Sequence, residues 1–269
     1  MSAALDHVGI VTDRLADLAE SYTRLGFTLS PLARQADGRI GNRCVMLPCC
    51  YIELLAVVDP NARSATLECF LARYAGVHIL AFRFTDETAE LARLRRAGVE
   101  ASSVSRFERL VDDADPDGPR ARFALIQTPD QPEGRINLVR HLAPEALWQP
   151  RFLAHANNVA SLDEVVLAVA DPADTAARLS RLIGCVAVPD PTEGFALELS
   201  HGRIRIHAAA TGVVPRITGL TLGTSDAAAA IARTVVERGI AHHREPSAWV
   251  VEAAAAGGVE LRFAASAAA

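Results

Sequence analysis

Apolar and polar positions alternate along this chain, switch to a helical period, and return to alternation, and they do so four times. The first copy is Leu5–Phe27, LDHVGIVTDRLADLAESYTRLGF, in which an apolar run passes into an Ala/Leu/Arg-rich stretch that stops at a glycine. Later copies begin near Val77, Leu162 and Ile217, and the predicted helices end at Gly26, Gly98, Gly184 and Gly239. Glycine just past a helix suits a left-handed C-cap, because it has no Cβ to strain at positive φ.

Each copy is expected to continue past its helix into three strands, giving a βαβββ unit. In the first, these are Phe27–Leu32, Asn42–Leu47 and Tyr51–Val57. In YIELLAV, Ile52 and Leu54 share one face, opposite Tyr51, Glu53 and Leu55. Ala65–Tyr74 reads as a short connecting helix. The second copy takes a strand from Val77–Phe84, a helix from Asp86–Ala97, and strands from Ala121–Gln127 and Arg135–His141, with Val111–Pro119 as an exposed acidic loop. Ala143–Val159 has no counterpart in the other copies and is the candidate linker, pinned to a domain surface by Trp148 and Phe152. The third copy covers Leu162 to about Ala208 and the fourth Arg216 to about Ala265, with Ser266–Ala269 expected to fray. One unit cannot close a core, so the first should pair with the second and the third with the fourth. That places a first domain at 1–142, a linker at 143–159 and a second, degenerate domain at 160–266.

Composition narrows the class. The chain has 269 residues, half of them hydrophobic, and a net charge of −5, so a globular protein without a basic tract for nucleic acid is expected. All 27 basic residues are arginine. Met1–Leu5 lacks a charged leader region, and no apolar run approaches the ~18 residues of a membrane span. The five cysteines are odd in number and show no CxxC spacing, so reduced thiols in a cytoplasmic protein are expected. Nucleophile-elbow, phosphate-loop, dinucleotide and HExxH motifs are absent from the sequence.

The segments LDHVGI (Leu5–Ile10), GNRCVML (Gly41–Leu47), YIELL (Tyr51–Leu55), GVHILAFRFTDE (Gly76–Glu87) and LDEVVLAVADP (Leu162–Pro172), with HLAPEALWQPRFLAHANN (His141–Asn158), resemble the vicinal oxygen chelate superfamily, and within it the bacterial glyoxalase-like domain proteins. The resemblance implies an α+β fold of four βαβββ units in two tandem cup-shaped half barrels. It also implies a divalent metal (Fe, Mn, Zn, Ni or Co) held by the first and last strands of paired units. In the first unit His7 and Glu53 match these positions. In the second, counting back from Gly98 gives Ile79 by the first unit's interval and His78 by the longer interval of the third and fourth. The apolar stripe Leu80, Phe82 and Phe84 puts Ile79, Ala81 and Arg83 in the cup, and only a bulge would turn His78 inward as a third metal ligand. The last position is Asn137, a poor transition-metal ligand; Arg83, Arg135, Asn137, Asn42 and Tyr51 could hold a substrate, with His141 nearby. Arg83 or Arg135 could alternatively pair with Glu53 in a metal-free polar pocket. In the second cup the four positions read Glu164, Arg205, Gly219 and Glu260, with Arg203, His207 and Arg262 beside them, which favours a salt-bridge network or an anion-tolerant pocket over a metal centre. His201 and the pair His242–His243 read as surface residues.

The resemblance therefore implies a glyoxalase-like protein acting on a small oxygenated metabolite by lyase or isomerase chemistry, with His7 and Glu53 as metal ligands or as proton carriers. The alternatives are a metal-free binding protein of the bleomycin-resistance type and an extradiol-type dioxygenase. A small molecule is the expected partner, nucleic acid and membrane are not, and a homodimer through exposed sheet edges is compatible with the plan.

Overall fold

The computed structural model describes residues 3–35, 37–191, 194–225 and 231–265. Its first unit comprises β1 (Leu5–Val11), α1 (Leu15–Arg24), β2 (Ala33–Arg34), β3 (Ile40–Met46) and β4 (Tyr51–Val57). After α2 (Ala65–Leu71) come β5 (Gly76–Arg83), α3 (Glu87–Arg96), β6 (Ser105–Leu110), β7 (Arg120–Gln127) and β8 (Arg135–His141). A connecting segment with α4 (Pro150–Leu153) leads to β9 (Val159–Val169), α5 (Pro172–Ile183), β10 (Ala187–Pro189), β11 (Phe195–Glu198) and β12 (Arg203–Ala208). The last unit holds β13 (Arg216–Thr224), β14 (His242–Arg244), β15 (Ala248–Val251) and β16 (Glu260–Ala265). The start of the fourth copy's expected helix (226–230) and the end expected to fray (266–269) lie outside the described residues.

The helices follow from their sequences. In α1, Leu15, Leu18, Ala19 and Tyr22 are buried at helical spacing and form one face. Before α5, Asp171 accepts a hydrogen bond from the Asp174 N–H and Pro172 occupies the first turn, while Gly184 closes the helix in the left-handed conformation. Gly26, Gly98 and Gly239 share that positive φ. Two segments differ from expectation. Phe27–Leu32 is not a strand, because the Thr28 N–H donates to His155 Nδ1, Ser30 brackets Cys44, and Pro31 interrupts the ladder. Ser105–Leu110, outside the strands expected from the sequence, is strand β6.

Two eight-stranded sheets share one topology, β2-β3-β4-β1-β5-β8-β7-β6 and β10-β11-β12-β9-β13-β16-β15-β14. In each, the opening strands of two units run antiparallel and each unit's last strand runs parallel to its first. The helix-covered faces of both sheets merge into one apolar core that includes Val8, Ile10, Leu54 and Phe82 as well as Val165, Leu167, Ile206 and Phe263. Cross-links between the halves include Tyr22 Oη donating to the Ala256 carbonyl and Arg178 paired with Glu133 at 2.9 Å. The concave faces lie on the other side of each sheet and form two cups. The first is drawn toward closure, since the Asp113 N–H donates to the Leu32 carbonyl and Arg34 pairs with Asp113 at 2.9 Å, joining the β2 and β6 ends.

The connecting segment is seated on the first sheet. Trp148 Nε1 donates to the Leu47 carbonyl, Phe152 is buried, and His155 bridges Thr28 and Met46. No helix among the described residues is long and apolar enough to cross a membrane.

Candidate functional site

Strand alternation sends His7, Gly9 and Val11 of β1 to the concave side, opposite Val8 and Ile10. Neighbouring strands supply Tyr51 and Glu53, Ile79 and Ala81, and Arg135 and Asn137 in matching register. They surround a cavity of about 490 Å³ lined by His7, Asn42, Tyr51, Glu53, Asn137 and Arg135 along with apolar side chains. That volume suits a small organic molecule. Small residues open its floor, because a Cβ added to Gly9 would lie 2.9 Å from the Ile79 Cβ.

The imidazole of His7 is fixed on two sides. It stacks on Tyr51 with ring centroids 4.5 Å apart, and its Nδ1 lies 2.7 Å from Asp6 Oδ1. A carboxylate accepts, so Nδ1–H donates and Nε2 is left as the free nitrogen, 3.9 Å from Glu53 Oε2. Glu53 in turn accepts from the Asn42 amide.

Asp6 was not singled out from sequence, and it organises the site. Simple alternation would put it with Val8 and Ile10 in the core, but a register shift between Leu5 and His7 redirects it. Fully buried, it accepts from His7, from His141 Nε2 at 3.0 Å and from Arg83 Nε at 2.8 Å. Burial alone would raise its carboxyl; hydrogen bonds from His141 and His7 outweigh that and hold it well below the usual carboxylate range. Tyr51 is pushed well above the ordinary phenol value, by burial first and then by Asp6 and Glu53. Cys44, also facing this side, is pushed up to about 12 by burial and then Glu53, so it is a thiol and not a nucleophilic thiolate.

Residues 5–183 match the family model for the glyoxalase-like domain. The chain belongs to that family. Among solved structures it is similar to a hypothetical protein from Staphylococcus aureus, with a TM-score of 0.74 at 14% identity over 98% of this chain and 100% of the other. A second similar structure is a xylose isomerase-like TIM barrel/4-hydroxyphenylpyruvate dioxygenase fusion protein, with a TM-score of 0.63 at 12% identity over 100% of this chain and 50% of that one. A mutant of 4-hydroxymandelate synthase from Streptomyces coelicolor gives a TM-score of 0.63 at 12% identity over 99% and 94%. At such identities these likenesses establish the fold, that of the vicinal oxygen chelate superfamily, and nothing about reaction. No curated protein matches the sequence.

Within this glyoxalase-like chain the expected residues divide. His7, Glu53, Tyr51, Asn42, Asn137 and Arg135 line one cavity, whereas Arg83 lines an adjoining one with His141 and Trp148. The salt bridges differ from the expected ones: Arg83 is committed to Asp6, and Arg135 forks onto Asp130 at 2.7 and 2.9 Å, so neither pairs with Glu53. The bulge that could have turned His78 inward does exist, since pairing passes from Gly9↔Ile79 to Ile10↔Val77 and skips it. The ring is nevertheless sandwiched between Phe70 and Tyr74, bonded to the Tyr74 carbonyl, and does not line the cavity that His7 and Glu53 share. His78 is therefore not brought to the candidate metal position.

The residues present do not fit a resident transition metal. A catalytic site of this kind keeps three protein ligands, and here Ile79 and the amide of Asn137 occupy the places that would complete the His7–Glu53 pair. Among the described residues no group of three or more His, Cys, Asp or Glu side chains could hold one.

The second cup is charge-paired. Glu164 is held by Arg203 at 2.7 Å and Arg205 at 3.2 Å, and Arg262 pairs with Glu260 at 3.4 Å and with Glu245. His201 is exposed, and His242 and His243 lie on the edge strand β14.

Proposed function

We propose that the first cup binds a small oxygenated metabolite and moves a proton on it, with His7 as the base. The observation that carries this reading is the Asp6–His7 hydrogen bond of 2.7 Å, which orients a free Nε2 at the wall of a molecule-sized cavity. A buried carboxylate behind an imidazole fixes its tautomer and stabilises the cation formed when the ring takes a proton. For a ketone bearing an adjacent hydroxyl, Nε2 would take the proton from the carbon beside the carbonyl. The C–H electron pair would then move to the carbonyl oxygen as an enediolate. Tyr51, which burial keeps protonated, and the Asn42 and Asn137 amides are the neutral hydrogen-bonding groups around that oxygen. The hydroxyl proton passes to that oxygen, and the carbon proton held on His7 returns to the neighbouring carbon, directly or relayed through Glu53, as the second oxygen becomes the new carbonyl and completes an isomerisation.

A second reading, a binding protein without chemistry, draws on the apolar part of the lining, where Ile40, Leu55, Leu67 and Phe70 face the cavity. The extradiol reading needs two histidines and a carboxylate on iron; the positions taken by Ile79 and Asn137 do not supply them.

The experiment is deuterium exchange at carbon. Hydroxyacetone, dihydroxyacetone and 2-oxobutyrate are incubated in D₂O with the protein, and loss of the C–H signal is followed by NMR. Wild type should accelerate exchange of at least one of them, and His7→Gln should lower that rate by roughly 10²–10⁴-fold. Exchange that is absent in wild type, or undiminished in His7→Gln, would overturn the assignment in favour of the binder.

A further inference from the structure

The charged residues around the first cavity are paired, with one exception among the described residues. Arg135 is forked onto Asp130, Asp37 onto Arg39, and Glu53 is bonded to Asn42. Arg109 of β6 lines the same cavity, is only 7% exposed, and forms no ion pair among the described residues. One Nη1–H donates to the Leu110 carbonyl at 3.1 Å, and the guanidinium lies 5.7 Å from the centre of the Phe123 ring. A guanidinium has five N–H donors, so one backbone carbonyl leaves most of the fork unclaimed. Burying a cation without a counter-charge is costly unless something compensates it. Its positive charge lies close enough to Tyr51 and Cys44 to oppose the carboxylates acting on them.

The surroundings of Arg109 are apolar. The concave face carries one cluster containing Tyr51, Ala81, Phe123 and Val139, and another containing Val11, Leu55, Leu67, Phe70 and Ile79. Along the strands His7, Gly9 and Glu53 come between them, and Arg109 belongs with the first through Phe123. Phe107, stacked on Phe123 at 4.9 Å and 43% exposed, extends that wall toward solvent.

We propose that the first cup takes an organic carboxylate with an apolar body, its carboxylate gripped by the Arg109 fork and its chain directed past His7 toward Leu67 and Phe70. This rests on the reading of the cup as a small-molecule site and adds the ligand's charge and polarity to it. Planar two-point recognition of carboxylate is what a guanidinium offers and an ammonium does not.

The test is equilibrium binding, which needs no turnover. Calorimetric titrations compare 3-phenylpropionate with its neutral isostere 3-phenylpropionamide on wild type, Arg109→Gln, Arg109→Lys and, as a control on the same strand, Arg106→Gln, whose guanidinium pairs outward with Glu87 and does not line the cavity. Wild type should bind the acid at least tenfold more tightly than the amide. Arg109→Gln should bring that ratio to about one, Arg109→Lys should leave it between the two, and Arg106→Gln should leave it at the wild-type value. If Arg109→Gln does not fold, as judged by circular dichroism, the wild-type ratio and the Lys variant decide. A wild-type ratio near one, no binding of either probe, or an acid preference that survives Arg109→Gln or is lost in Arg106→Gln would overturn the proposal. Proton exchange on neutral hydroxyacetone is untouched by those failures, so the two readings fall separately.

Discussion

The two cups have the same strand order and opposite uses of charge. At the opening strand of the first, His7 is oriented from behind by Asp6 and keeps a nitrogen toward the cavity; at the matching place in the second, Glu164 has Arg203 on one oxygen and Arg205 on the other. The floors are also inverted, since Gly9 faces Ile79 in the first sheet and Val166 faces Gly219 in the second. Backbone topology therefore does not make a site. What separates the cups is the side chain at that one position: both oxygens of Glu164 are paired with arginines, whereas His7 keeps Nε2 toward its cavity.

The sharpest way to break the contrast is to remove each cup's central carboxylate. Asp6→Ala leaves Arg83, His7 and His141 around an empty buried place and should cost about 3–5 kcal/mol in urea unfolding. Glu164→Ala should cost less, about 1–2 kcal/mol, because Arg203 and Arg205 are 44% and 26% exposed and can turn to water. Equal costs would mean that Asp6 is an ordinary ion-pair member.

The floor glycines give a smaller effect. Gly9→Ala should destabilise by about 1–3 kcal/mol, because its Cβ would meet Ile79 at 2.9 Å. Gly219→Ala, whose nearest neighbour would be 3.7 Å away, should stay within about 0.5 kcal/mol of wild type. Thermal melts of the two variants test the inversion.

A milder signature comes from pH. Burial pushes His78 and His155 below the ordinary imidazole value, with backbone carbonyls at Tyr74 and Met46 opposing. The folded state then binds fewer protons than the unfolded one, so their stabilisation is present above the unfolded value of about 6.5 and is lost as pH falls below it. Protonation of His155 would also deprive the Thr28 N–H of its acceptor. Melting temperature should fall between pH 7 and 5, and His155→Gln should flatten that slope. The Asp6 contribution has the same sign at lower pH, lost only below the usual carboxylate range. The smallest expected effect is that of a chelator, since the His7–Glu53 pair lacks the further ligands a tight metal needs. Dialysis against EDTA should leave both the melting temperature and the proton-exchange rate unchanged.

Much of this was legible in the sequence where period and parity hold. Alternation in YIELLAV placed Glu53 in the cup and Ile52 and Leu54 in the core, and the Leu80–Phe84 stripe put Ile79 rather than His78 at the concave surface. Parity failed where the register slips. The irregularity between Leu5 and His7 took Asp6 out of the stripe its position implied, and the bulge at His78 buried that ring beneath Phe70. An acidic residue in an otherwise apolar stripe was the signal for the first. Arg109 was missed with its strand: in SRFERL, Arg106 and Glu108 pair outward with Glu87 and Arg120, leaving Phe107 and Arg109 for the cup. The connecting segment's hold on β3 depends on backbone carbonyls of Leu47 and Met46, which no side-chain pattern reveals.

The measurement that goes most directly to the central claim is the tautomer of His7, read by ¹⁵N NMR of histidine-labelled protein at a pH where the ring is neutral. The proton should reside on Nδ1, facing Asp6, with Nε2 unprotonated in the cup, and Asp6→Asn should disturb that preference. A proton found on Nε2 in the wild-type protein, or a His7 spectrum indifferent to Asp6→Asn, would contradict the account.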